Sequence, residues 1–167
     1  MTIHTDHPFA DANPDPARRL RGRVGGAVTL WTAGDDTERV GLTVTSLMVA
    51  LGPEARVLAL LDPDSDLLAV LRETGTAVVQ LLSWPDRQLA EAFAGTAPAP
   101  GGPFRQAEFV PTEWGPRLAT TRTWAGVRLH GEREIGWSVE VAATMEHVEV
   151  GDEDEPLLHR RGRFRRG

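Results

Sequence analysis

The chain has 167 residues and contains no cysteine, no lysine and no tyrosine. Without cysteine there can be no disulfides, thiolate metal sites, iron–sulfur clusters or cysteine nucleophiles. Without lysine there is no Schiff base, and without tyrosine no phenolic general acid. Long apolar runs are also missing, and no stretch approaches the ~18 residues of a membrane-spanning helix, so no membrane partner is expected. The opening residues, Met1 to His7, have neither the basic nor the apolar region of a secretory leader, and the expected location is cytoplasmic. Nucleophile and nucleotide motifs are absent as well: there is no GxSxG, no P-loop and no GxGxxG. Five histidines, His4, His7, His130, His147 and His159, show no HExxH and no paired ligand spacing, so no metal site is expected. His147 reads as a structural or solvated strand histidine. The acid pair Asp62/Asp64 reads as a turn and helix cap. No catalytic side chain emerges from these patterns.

What is present describes one domain with a real core. The chain is 41% hydrophobic and 25% charged, with a formal charge of −6. A balance this acidic disfavours non-specific nucleic-acid binding, and no nucleic-acid partner is expected. One basic cluster stands out: Arg160, Arg161, Arg163, Arg165 and Arg166. The acidic run Asp152-Glu153-Asp154-Glu155 precedes it, and the pair reads as a solvated tail of cancelling charge.

Residues 1–16, with three prolines and three acids, read as a flexible N-terminal arm. Residues 17–150 form the domain, and residues 151–167 a C-terminal tail that completes or flanks it. A short helix is possible over 17–21. β-branched and apolar residues predict strands over 24–32, 39–46, 56–61, 76–82, 124–130 and 135–150. The last two are expected to join near Gly131-Glu132-Arg133-Glu134. Ser65 is placed to cap a helix over 66–73, and Ser83-Trp84-Pro85-Asp86 to open one running to Gly95. Residues 96–103, rich in proline and glycine, read as a loop. Strands mostly follow strands, so the fold class is mainly β, an antiparallel barrel or sandwich.

The 39–46 strand is the most informative segment. Val40, Leu42 and Val44 alternate with Gly41, Thr43 and Thr45, giving one apolar face and one small, hydroxylated face. Thr43, Thr45 and Ser46 form a candidate binding surface, because hydroxyls and free main-chain N–H groups suit an anion or the polar edge of a ring. Ordinary strand preference for threonine accounts for the same pattern. The five tryptophans could stack on a planar ligand or serve as core anchors.

Several segments resemble the flavin reductase-like, FMN-binding split-barrel family, which includes the reductase components of two-component flavin monooxygenases. They are Gly26-Ala27-Val28-Thr29-Leu30-Trp31-Thr32, Gly41-Leu42-Thr43-Val44-Thr45-Ser46-Leu47, the stretch 76–83, Gln88 to Gly95 with its Phe93-Ala94-Gly95, and Pro156-Leu157-Leu158 followed by Arg161-Gly162-Arg163-Phe164. The likeness spans about residues 18–164. It implies a six-stranded antiparallel Greek-key split β-barrel with a few short helices, a homodimer, and flavin near the subunit interface. It implies FMN, or alternatively FAD, as cofactor and NAD(P)H as co-substrate. Hydride would pass to flavin, and reduced flavin to a separate monooxygenase. It assigns Thr43, Val44, Thr45 and Ser46 to the flavin, Asp62 to Ser65 to its phosphate or ribityl chain, and Phe93 and Ala94 to its flank.

Three departures accompany the resemblance. The family's Gly-Asp-His, whose histidine helps place the nicotinamide, corresponds to Gly136-Trp137-Ser138 here. Phe164 stands where a tyrosine is common, and Gln80 where an asparagine is common. Gly136, Trp137 and Ser138 are the nicotinamide-site candidates, with Trp137 able to stack on that site or block it. The alternative reading is a non-catalytic or repurposed module of the same fold that holds FMN or a flavin-like cofactor such as a deazaflavin.

Overall fold

The computed structural model describes residues 15–152 and 155–167. Most of the expected N-terminal arm, with His4 and His7, and the centre of the 152–155 acidic run lie outside the described residues. The chain opens with α1 (Pro16–Val24), followed by β1 (Gly26–Ala27), β2 (Thr29–Gly34), β3 (Arg39–Val44), β4 (Leu47–Ala50) and β5 (Arg56–Leu61). Next come α2 (Asp66–Thr74), β6 (Thr76–Leu81) and α3 (Arg87–Ala94). The rest is strand: β7 (Phe109–Thr112), β8 (Gly115–Leu118), β9 (Trp124–Ile135), β10 (Ser138–Glu149), β11 (Leu157–Arg160) and β12 (Arg163–Arg166). Among the described residues no helix is long and apolar enough to cross a membrane.

The main sheet runs β3-β2-β6-β9-β10-β5-β4, with every pair antiparallel. Its two ends, β3 and β4, are successive pieces of one chain separated only by Thr45 and Ser46. One bent strand therefore supplies both edges, and the sheet closes into a barrel. Counted this way there are six strands, as the family resemblance implies. The first three (β2, β3–β4, β5) are neighbours, α2 then crosses over, and β6, β9 and β10 complete the circle in Greek-key order. Closure removes the unpaired edges an open sheet would expose.

β2 is buried along almost its whole length because it serves two cores. Trp31 and Ala33 join Val44, Val57, Ala59, Leu61, Val127, Val139 and Val141 inside the barrel. Leu67, Leu68, Val70 and Leu71 of α2 fill the same core. The other side of β2, with Leu30 and the preceding Val28, packs on Leu89, Ala90 and Phe93 of α3, and on Leu118 and Leu157. Each such aliphatic side chain gains about 1.5–3 kcal/mol on full burial. The helix α2 forms where its sequence directs: the Ser65 hydroxyl accepts from Leu68 N–H at 3.2 Å, and Gly75 ends it in a left-handed conformation.

Three sequence expectations differ from the structure. The β9–β10 turn falls at Gly136-Trp137, not at Gly131–Glu134, because residues 131–135 continue as paired strand. Gly136 has φ +56 and Ile135 pairs with Ser138, the two-residue hairpin loop that favours glycine at its first position. The chain's end is no solvated tail: β11 pairs with β1 and β12, and Leu157 is buried. Outside the expected strands, β7 and β8 add a further antiparallel hairpin over 109–118.

Candidate functional site

The bend between β3 and β4 is where the barrel closes, and the candidate hydroxyl face lies on it. Val44 points inward and is buried. Thr43 faces out toward α3, where its hydroxyl donates to the Ala90 carbonyl at 2.7 Å. The Ser46 hydroxyl donates to the Leu60 carbonyl at 2.9 Å, which ties the start of β4 to β5. Thr45 belongs to neither ladder, and its hydroxyl has no hydrogen-bond partner among the described residues. β1 passes close above it: a Cβ on Gly26 would sit 2.9 Å from the Thr45 carbonyl oxygen. Glycine at 26 thus lets β1 approach the Thr45 main chain closely.

This donor and acceptor set suits the ring end of a flavin. With their protons committed to carbonyls, Thr43 and Ser46 offer oxygen lone pairs, which can accept from the imide N–H of an isoalloxazine. Thr45 is free to donate or accept. The expected phosphate site fits less well. Asp62 Oδ1 accepts from Asp64 N–H at 2.8 Å, and the Ser65 hydroxyl donates to the Asp62 carbonyl while capping α2. The Asp64, Ser65 and Leu68 N–H groups and the Ser65 hydroxyl serve the turn and cap, and Asp62, Asp64 and Asp66 place three carboxylates at the mouth of α2. That charge opposes a dianionic phosphate despite the helix dipole.

The other candidates lie apart in role. Phe93 is buried, with its ring edge-on to Phe104 and Phe109 at 5.0 and 6.0 Å. It packs α3 against Gly41 rather than lining a surface, while Ala94 is exposed at the helix end. Gly136, Trp137 and Ser138 form the far tip of the β9–β10 hairpin, and Trp137 is 90% exposed. An open cleft of about 590 Å³ is lined by Ser83, Asp86, Thr121, Arg122, Asp152 and Glu155 among others, and includes none of the flavin candidates.

Gln80, singled out as a departure, is fully buried. Its amide donates to the Thr32 hydroxyl at 3.0 Å, and its carbonyl accepts from Leu118 N–H at 2.7 Å. Thr32 donates in turn to the Pro116 carbonyl. The network fastens β8 to the outside of the barrel. Sequence reading also missed the setting of His147. Its ring lies against Trp114 and Trp124 at 5.3 and 4.7 Å, with Nε2 3.0 Å from Glu149 Oε1. Hydrogen bonds from Trp124 and from His147 hold the Glu149 carboxyl below its ordinary range. Only folding brings residues 114, 124 and 147 together, so no sequence signal marked this cluster.

Comparison with known proteins accords with this geometry. A family model described as "Flavin reductase like domain" matches residues 21–167. No curated protein sequence matches. Among solved structures, the NADH:FAD oxidoreductase SgcE6 of Streptomyces globisporus is similar at 24% identity and TM-score 0.81, covering 94% of this chain and 98% of its own. The styrene monooxygenase flavin reductase of Pseudomonas putida S12 is similar at 16% identity and TM-score 0.80, covering 92% and 97%. Nitrilotriacetate monooxygenase component B of Mycobacterium thermoresistibile is similar at 20% identity and TM-score 0.80, covering 90% and 84%. With its family model spanning nearly the whole closed barrel, the chain belongs to the flavin reductase-like domain family.

Proposed function

We propose that this flavin reductase transfers hydride from NAD(P)H to FMN, works as a homodimer, and hands reduced flavin to a separate monooxygenase. The observation that carries the reading is the β3–β4 bend, where Thr45 stands outside both ladders beneath a glycine-bare β1. Bound flavin supplies the hydride acceptor, and no protein acid or base is required for that transfer. The chain's own part is orientation. Thr43 and Ser46 fix acceptor oxygens at one edge, and Thr45 adds a free hydroxyl and a close main chain. Names of similar structures that include a monooxygenase component and a monooxygenase flavin reductase support the partner.

The homodimer has a surface to support it. Met48 of β4 lies opposite Leu58 of β5, and Met48 and Leu60 are 70% and 42% exposed. This apolar face adjoins Thr45–Ser46, so a second copy seated there would cover the bend and exclude water from it. A second reading, a module that holds flavin without turnover, is favoured by the Gly136-Trp137-Ser138 tip, which lacks an orienting histidine.

The deciding experiment mixes purified protein with FMN and NADH, then NADPH, under anaerobic conditions. Bleaching of the flavin band with either nucleotide supports the reductase. FMN binding without bleaching supports the module. No binding at all, by calorimetry and by flavin fluorescence, overturns both. Thr45→Val should weaken FMN by about fivefold to tenfold, the loss of roughly one hydrogen bond. Sedimentation at micromolar concentration tests the dimer, and Met48→Glu should shift it toward monomer.

A further inference from the structure

The fold gathers arginines that the sequence keeps far apart. α1 contributes Arg18, Arg19, Arg21 and Arg23, and the β11–β12 hairpin contributes Arg160, Arg161, Arg163, Arg165 and Arg166. The two runs meet directly. Arg161 N–H donates to the Gly22 carbonyl at 2.8 Å, and Arg160 Nε donates to the Arg23 carbonyl at 3.3 Å. Half of the eighteen basic residues therefore sit at one corner, and the other nine share the rest of the chain with twenty-four acids. The molecule is electrically lopsided in a way its net charge of −6 conceals.

This charge is largely uncompensated within the fold. Arg166 pairs with Glu155 at 3.2 Å. Among the described residues Arg18, Arg19, Arg21, Arg23, Arg163 and Arg165 make no ion pair. α1 itself contains no acid, and Arg160 lies directly across from Arg163 in the ladder. Like charges placed opposite each other destabilise a sheet. Between the arginines α1 also exposes two aliphatic side chains one turn apart, Leu20 at 65% and Val24 at 75%.

We propose that α1 and the β11–β12 hairpin form a docking surface for an acidic protein partner, with Leu20 and Val24 as its apolar centre and arginines as its rim. An apolar centre enriched in arginine is the composition of protein interfaces. Phosphate backbones would satisfy the arginines but leave Leu20 and Val24 exposed. A membrane would ask for aromatic residues and a longer apolar face, and α1 has neither. Attraction between the positive corner and an acidic partner would speed encounter and orient it. The proposal does not rest on the flavin reading and stands or falls without it.

The test uses the full chain and a fluorescent synthetic peptide rich in glutamate, with two leucines spaced four residues apart. Micromolar binding that weakens with added salt is expected. Arg19→Glu/Arg23→Glu should weaken it at least about tenfold, and Leu20→Ser/Val24→Ser by about threefold to tenfold. Circular dichroism and the melting temperature establish that each variant is folded. Failure of the folded wild-type chain to bind the peptide overturns the proposal. So does tighter binding of oligothymidine, or of phosphatidylserine vesicles, than of the peptide. A drop in sedimentation mass caused by the arginine variant would assign the face to a second copy of this chain and overturn it equally.

Discussion

Phe93 occupies the space that a side chain at Gly41 would need: a Cβ at position 41 would lie 2.6 Å from Phe93 Cε1 and 2.7 Å from Cδ1. The contact lets α3 approach β3 closely enough for Thr43 to reach the Ala90 carbonyl. Gly41→Ala should therefore push α3 outward and cost about 1–3 kcal/mol, as overpacking does. In a chain of this size that lowers the melting temperature by about 2–4 °C per kcal/mol. Phe93→Leu should partly rescue Gly41→Ala while destabilising the wild type, a non-additivity that thermal denaturation of the four variants reads out. Additive losses would mean that the two residues do not share that space.

Gln80 supports a second prediction, because its amide is satisfied at both ends inside the protein. Gln80→Leu keeps the volume but strands the Leu118 N–H, which costs about 1–3 kcal/mol. Gln80→Asn is too short to span from Thr32 to Leu118 and should lose one of the two bonds. Urea denaturation should therefore show both variants below wild type, and hydrogen exchange should speed up at Leu118 in Gln80→Leu. Unchanged exchange there would show that β8 is held by other contacts.

These two positions show what the sequence made legible. The alternation Val40, Leu42, Val44 marked an inward apolar face, and it does join the barrel core. Ser65 announced its helix because capping is local chemistry. What depends on distant partners did not show. Thr43 and Ser46 mark a candidate binding surface in the sequence, and only the fold shows each hydroxyl directed to a carbonyl 47 or 14 residues away. The resemblance sets Phe93 beside the cofactor, and the fold adds that its ring packs against Gly41. The arginines of the expected 17–21 helix and those of the C-terminal tail are far apart in sequence, and the pairing of β11 with β1 brings them together. The β9–β10 turn was misplaced for a similar reason: the charged run 131–134 looked like a loop, although Arg133–Glu140 and Arg72–Glu132 pairs support it in strand.

Acidification should weaken the fold in two stages. His159 is held below its ordinary pKa, first by burial and second by the nearby positive charge of Arg21. The unfolded chain then takes up a proton at higher pH than the folded one, so this contribution is fully present above the ordinary imidazole range and is lost as pH falls through it. Glu132, Glu146 and Glu149 are held low mainly by hydrogen bonds from Arg72, from Arg128 and from Trp124. Their contribution is present above the ordinary carboxylate range and is lost as pH falls through the depressed values, a separate and more acidic step. Arg21→Ala should raise the His159 pKa and flatten the first stage alone. Urea midpoints across pH, with an NMR titration of His159, would show this. An unchanged His159 titration in Arg21→Ala would remove the arginine from the account.

The hairpin tip offers the most direct handle on nicotinamide use. Trp137 is 90% exposed at the tip of the hairpin, so changes at 137 and 138 that keep Gly136 leave the core undisturbed. Trp137→Asp/Ser138→His restores the family's Gly-Asp-His at this position. A histidine that helps place the nicotinamide acts on orientation, and positioned general contacts of this kind are worth on the order of tenfold or more in rate. The double variant should therefore raise kcat/KM for NADH or NADPH by about tenfold, with the FMN affinity and melting temperature near those of wild type. Steady-state flavin reduction at saturating FMN measures it. A gain confined to KM would indicate improved nucleotide binding alone. A variant that is folded, binds FMN and gains nothing would mean that this tip does not approach the nicotinamide in this protein, and would favour the module that holds flavin without turnover.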